Sequence, residues 1–81
     1  MDFKKIYTYS FKNKDAVEHS KKCGCFNCGN IFDAIKVVKY NTEMDGNQSA
    51  ICPVCGTDSV LPDASVKVEP KLLEYMYDEF C

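Results

Sequence analysis

Polar and apolar positions alternate over residues 6 to 11 (Ile-Tyr-Thr-Tyr-Ser-Phe), a period of two that predicts a short N-terminal strand. Asn13 then stands where a helix cap is needed, and Asp15-Ala-Val-Glu-His-Ser20 reads as a turn or two of helix. Farther along, Ile35-Lys-Val-Val-Lys-Tyr40 is β-branched and aromatic, Met44-Asp-Gly-Asn47 carries an Asp-Gly turn, and Gln48 to Cys52 runs back. This pattern predicts a hairpin. Thr57 to Leu61 predicts a third strand, which Pro62-Asp63 ends. After Glu69-Pro70, the residues Leu72, Leu73, Met76, Tyr77 and Phe80 recur at helical spacing, with Glu74, Asp78 and Glu79 left for the wet side. An amphipathic helix over residues 68–81 follows. Its C-terminal acids oppose the helix dipole, so it gains from docking its apolar face.

The chain has 81 residues, and a domain of that size buries only about 60 to 65% of the surface its unfolded form exposes. A covalent or metal staple commonly makes up the shortfall. The six cysteines provide material for one, and four of them form two copies of Cys-x2-Cys-Gly: Cys25-Phe-Asn-Cys28-Gly29 and Cys52-Pro-Val-Cys55-Gly56. Two residues between sulfurs let the backbone curl so that both thiolates face one centre, and glycine accepts the positive φ that follows. Four thiolates at about 2.3 Å satisfy tetrahedral zinc, here one structural Zn2+ with no position open to water. A single iron would accept the same donors. A thioredoxin-like redox pair needs one Cys-x-x-Cys on a βαβ scaffold, for which this chain has no room. Cys23 offers a third thiol near the first pair, and the lone histidine, His19, lies four residues before it; both are held as alternate ligands or neighbours of the site. Cys81, beyond the final helix, has no second histidine to activate it and reads as a packing or exposed thiol.

Charge narrows the field of partners. All ten basic residues are lysines, against twelve acids, so the planar fork that most often reads guanine or clamps phosphate is missing. The lysines are concentrated early: six lie in residues 1 to 22 (Lys4, Lys5, Lys12, Lys14, Lys21 and Lys22), ahead of an acidic body. A tetrathiolate zinc centre would make the net charge two units more negative than the formal -2. Nucleic acid is therefore disfavoured as a partner; that alternative would use Lys4, Lys5, Lys12, Lys14, Lys21 and Lys22 with Tyr7, Tyr9 and Phe11 as stacking platforms. The same residues, with Tyr75, Asp78 and Glu79 on the last helix, are the candidate faces for a protein partner. The apolar runs are no longer than three residues, which predicts neither a membrane span nor a signal peptide and places the chain in the cytosol with its thiols reduced. No glycine-rich phosphate loop, deaminase signature or second histidine is present, so an enzyme is not expected.

Four stretches, taken together, resemble a known group of proteins. They are Tyr9-Ser-Phe-Lys-Asn, Ser20-Lys-Lys-Cys-Gly-Cys-Phe-Asn-Cys, Ile31-Phe-Asp, and Cys52-Pro-Val-Cys-Gly-Thr-Asp-Ser-Val. The chain is similar, over roughly residues 7 to 80, to small bacterial cytoplasmic zinc-ribbon proteins, a family without an established activity. It departs from them in the hairpin, Val37 to Asn47, where their stretch is more helical and bears tryptophan, and in its histidine-poor last helix. The combined expectation is a single small α+β domain spanning 1–81: a strand and helix in 1–22, a zinc ribbon in 23–62 with two zinc knuckles and a three-stranded antiparallel sheet, and the amphipathic helix over 68–81. Its expected role is that of a protein-interaction adaptor or regulator, the alternatives being nucleic-acid binding and a redox or metal-transfer use of its thiols. The oligomeric state is left open.

Overall fold

A computed structural model describes residues 2–81. Three helices, α1 (Phe3–Thr8), α2 (Lys14–Glu18) and α3 (Pro70–Phe80), accompany five short strands, β1 (Lys22–Cys25), β2 (Ile31–Asp33), β3 (Tyr40–Thr42), β4 (Gln48–Ala50) and β5 (Val60–Pro62). The strands form two antiparallel sheets, one of order β2-β1-β5 and one of β3-β4 alone. The protein is thus a small α+β fold. A three-stranded sheet is present, but not the expected one: the last strand pairs with β1, Cys23 opposite Pro62 and Cys25 opposite Val60, and the hairpin stands apart.

The N-terminal segment corrects the sequence reading, for residues 3 to 8 are helix rather than strand. Asp2 caps the helix by accepting the Lys5 amide at 3.1 Å, and Phe3, Ile6 and Tyr7 fall at i, i+3 and i+4 on one stripe packed toward α3. Alternation counted from Ile6 hides that stripe because Phe3 lies outside the window. Residues 35 to 40 differ as well. Ala34–Lys36 is a 3-10 turn that buries Ala34 and Val37 and exposes Ile35, so the period there is three, and the hairpin strand begins only at Tyr40. The Asp-Gly turn is where expected, with Gly46 at φ 88°.

Strand β1 explains why the chain has two small cores. Successive side chains of a strand point to opposite faces. Cys23 and Cys25 face one way, toward Val17, Phe32, Val37, Ala50, Cys52 and Val60; Gly24 and Phe26 face the other, toward Leu61, Leu72, Leu73 and Met76. Gly24 is a close-approach position, since a Cβ there would lie 2.6 Å from Val68 Cγ1 and 3.0 Å from Leu73 Cδ1. Its absence lets α3 lie down on the sheet. Helix α3 begins with Pro70 at its first turn and buries Leu72, Leu73 and Met76, each contributing about 1.5 to 3 kcal/mol of transfer free energy. Tyr77, assigned from the sequence to the apolar face, is half exposed.

Asn13 joins the parts. It stands at the start of α2, yet its side chain makes no capping bond; instead Nδ2 donates to the Tyr9 and Val60 carbonyls at 3.0 and 2.9 Å, and Oδ1 accepts the Ala50 amide at 2.8 Å. One buried amide therefore ties the N-terminal segment, β5 and the hairpin together. Asp63 performs a similar task near the surface, accepting the Lys21 and Lys22 amides at 3.2 and 2.9 Å.

Candidate metal centre

The two Cys-x2-Cys-Gly segments fold into matching turns. In the first, the Gly29 amide donates to the Cys25 carbonyl at 2.8 Å and the Cys25 amide to the Asn30 carbonyl at 3.0 Å. In the second, the Gly56 amide donates to the Cys52 carbonyl at 3.0 Å and the Cys52 amide to the Thr57 carbonyl at 2.8 Å. The glycines sit at φ 76° and 81°, a region open to them and strained for other residues. Strand β1 delivers the first turn and the chain leaving β4 delivers the second, so the two sheets meet at the cysteines.

The sulfurs of Cys25, Cys28, Cys52 and Cys55 all lie within 4.8 Å of one another. Across the turns, Cys25 and Cys55 are 3.6 Å apart and Cys28 and Cys52 are 3.7 Å apart. Bonds of about 2.3 Å from one tetrahedral ion place its sulfur ligands about 3.8 Å apart. The spacing fits that geometry. A disulfide would need about 2.05 Å.

Around the sulfurs is a set of donors that suits thiolates rather than thiols. Val54 and Cys55 amides point at Cys52 Sγ at 3.4 and 3.5 Å, Asn30 Nδ2 at Cys28 Sγ at 3.3 Å, and Asn27 Nδ2 crosses from the first turn to Cys55 Sγ at 3.6 Å. The Thr57 hydroxyl reaches both Cys55 Sγ, at 3.2 Å, and Cys25 Sγ, at 3.6 Å. These contacts act against burial. Burial pushes the Cys25 thiol up to about 12, whereas at the exposed Cys55 desolvation, the largest single cause, is outweighed by the Thr57 hydroxyl and amide, Asn27 and Cys25 acting together, which hold it down at about 6. Burial also raises Cys52. Asn27, Asn30 and Thr57 are the residues sequence reasoning missed; the signal available for Asn30 and Thr57 was that a polar residue follows each turn's glycine, whereas Asn27 lies inside the first turn and carries no such signal.

The other expected site residues lie elsewhere. Cys23 shares the β1 face with Cys25 but is fully buried outside the four-sulfur cluster, its thiol pushed up to about 12 by burial and then by Asp63. His19 is exposed, with Nδ1 2.7 Å from the Asp15 carbonyl, and also lies outside the cluster. Cys81 is exposed at the end of α3.

Nor do the N-terminal aromatic and basic residues form an open platform. Tyr7 is stacked on Phe80 at 4.3 Å and Tyr9 is half-buried, which leaves Phe11, edge-on to Tyr7 at 5.2 Å, as the exposed ring of the three. Lys12 pairs with Asp45 at 2.6 Å, Lys14 donates to Gln48 at 3.0 Å beside the Tyr40 ring, and Lys22 pairs with Asp33. The Lys21 side chain is exposed. On α3, Tyr75, Asp78 and Glu79 are exposed, with Tyr75 6.0 Å from Phe3.

Compared with protein-family models, with curated proteins and with solved structures, the chain gives no match. Fold and site define a small α+β protein with antiparallel strands and four clustered cysteines that could hold a metal ion. Among the described residues no helix is long and apolar enough to cross a membrane.

Proposed function

We propose that the protein is a zinc-ribbon adaptor or regulator of the cytosol, in which Cys25, Cys28, Cys52 and Cys55 form two zinc knuckles on one Zn2+ and the surface binds another protein. The observation that carries the metal assignment is the sulfur spacing, 3.6 and 3.7 Å across the turns, against the about 3.8 Å edge of a tetrathiolate tetrahedron. When bound, zinc supplies folding free energy on the order of 10 kcal/mol and, with four thiolates around it, no catalytic water. Cys25, Cys28, Cys52 and Cys55 would hold the ion, Cys25 and Cys52 being buried and Cys55 exposed, and Asn27, Asn30 and Thr57 would keep the sulfurs oriented and anionic.

An interaction role is supported by apolar side chains left in water: Val38, 77% exposed, and Val54, 60%, line a cleft with Cys52 and Cys55, and Ile35, 86% exposed, lies in another beside Val17 and Tyr40. The nucleic-acid alternative loses support from the same surface, because Lys12 and Lys22 are neutralised by carboxylates and Tyr7 and Tyr9 are packed. Metal analysis and native mass spectrometry test the first part: one zinc per chain, lost on Cys52→Ser, is expected, and two intact disulfides without metal would overturn it. Binding to random single-stranded DNA and RNA across a salt series tests the second. Steeply salt-dependent micromolar affinity would reverse the ranking.

A further inference from the structure

The hairpin has two outer edges, and they are treated differently. In its register Tyr40 faces Ala50, Asn41 faces Ser49 and Thr42 faces Gln48. The Ile51 amide donates to Lys39 and the Glu43 amide to Asn47, so the pairs 39/51, 41/49 and 43/47 are the hydrogen-bonded ones. Even-numbered residues consequently turn their backbone groups away from the partner strand. On β4 this edge is occupied, for Ala50 donates to Asn13. On β3, the backbone groups of Val38, Tyr40 and Thr42 have no hydrogen bond among the described residues. Val38 and Thr42 are also exposed.

An open strand edge is a template for another strand. The charge along this one says which. It runs from Lys36 and Lys39 at one end to Glu43 at the other, Asp45 beyond it being held by Lys12 of its own chain, so it complements its own copy in antiparallel orientation. An acidic peptide would gain at the lysine end and be repelled at the other.

We infer that the outer edge of β3 pairs antiparallel with the same edge of a second copy of this chain, about a two-fold axis at Tyr40, to give a four-stranded sheet of order β4-β3-β3-β4. In that register Tyr40 faces its own counterpart, and Val38 faces Thr42 of the second copy on each side of the axis. Each of these pairs exchanges two backbone bonds. Lys39 faces Asn41 of the second copy, with Glu43 of that copy on one diagonal and Lys39 of that copy on the other; two Lys39–Glu43 attractions against one Lys39–Lys39 repulsion leave the charge pattern favourable. Val38 is covered in the process. The contact is short, which makes it a weak and reversible dimer. This inference does not depend on the identity of any other partner and is read from a backbone edge rather than from the metal.

Sedimentation equilibrium of the purified full chain, with its metal, tests the association. Between about 10 μM and about 1 mM, which brackets the dissociation constant of a weak contact, the mass should climb from 9.2 kDa toward twice that. Hydrogen exchange tests the edge: Tyr40 and Thr42 amides should exchange fast when dilute and slowly when concentrated, while Asn41 and Glu43 stay slow throughout. Thr42→Pro, which removes an outward donor, should abolish both effects at unchanged metal content. Lys39→Glu should weaken association roughly tenfold, and Lys39→Glu with Glu43→Lys should restore it, a rescue that does not depend on how the proline variant folds. A monomer across the whole range, a dimer whose Tyr40 and Thr42 amides remain fast, or a charge swap without rescue would overturn the inference.

Discussion

The two faces of the β2-β1-β5 sheet bury different chemistry. One is lined by sulfur and small residues, Cys23, Cys25, Cys52, Ala34, Ala50, Val17, Val37 and Val60 with Phe32; the other is lined by Ile6, Phe26, Leu61, Leu72, Leu73 and Met76 and edged with Phe3, Tyr7 and Phe80. Large apolar side chains can hold a helix to a sheet by area alone. The sulfur side has little such area, and its thiolates would repel one another without a cation. Stability in this chain is therefore divided: on the proposed metal assignment one core is fastened by coordination, while the other is fastened by burial. Each should fail in its own way.

The largest effect is expected on the sulfur side. Cys52→Ser, or chelation of the wild type, should remove metal-linked free energy on the order of 10 kcal/mol and disorder the two cysteine turns and the hairpin. Far-UV circular dichroism and amide exchange measure this. If all amides of residues 22 to 62 kept their protection after chelation, the cysteine side would be shown to stand on packing, and the contrast would collapse.

On the helix side, Met76→Ala should cost about 2 to 5 kcal/mol, because Met76 is fully buried and its neighbours close only partly over the gap. Metal stoichiometry should remain unchanged at temperatures where the variant is folded. Loss of metal in the folded variant would mean that the two cores are one cooperative unit. Asn13→Ala addresses the link between them and should rank next. It leaves the Tyr9 and Val60 carbonyls and the Ala50 amide without their partner, at a cost of about 1 to 3 kcal/mol for a buried group so orphaned. Chemical denaturation gives the magnitude. A change below the error of that measurement would show that water replaces the side chain.

How much of this could be read beforehand follows the same division. The four cysteines were readable because coordination demands a fixed local spacing, and the repeated Cys-x2-Cys-Gly shows it without any knowledge of the fold. Helix α3 was readable from its period, and the hairpin from Asp45-Gly46. Helix α1 was not, since Ile6 to Phe11 alternates by chance and the stripe that matters, Phe3-Ile6-Tyr7, gains its meaning from α3 more than sixty residues later. Strand β1 was hidden for a related reason. Lys22-Cys23-Gly24-Cys25 carries ligand and close-approach residues in place of a strand's usual β-branched ones. The donors Asn27, Asn30 and Thr57 look like ordinary turn residues until the sulfurs are in place.

The smallest effect concerns the exposed tether of the hairpin. Asp45 Oδ2 meets Lys12 Nζ at 2.6 Å, and its other oxygen accepts the Asn47 amide at 3.1 Å; the Lys12 ammonium first, then Asn47, hold this carboxyl down at about 2. Because the folded value lies below the unfolded one of about 3.9, the carboxylate's contribution is complete above the unfolded value and fades only as pH falls toward the folded one. Asp45→Asn should therefore speed exchange of the Gly46 and Glu43 amides by the same modest factor at pH 7 and pH 5, with the gap from wild type starting to close near pH 4. Since both partners are exposed, high salt should narrow the gap at any pH. A gap that closed between pH 7 and 6 would identify some other titrating group as the tether.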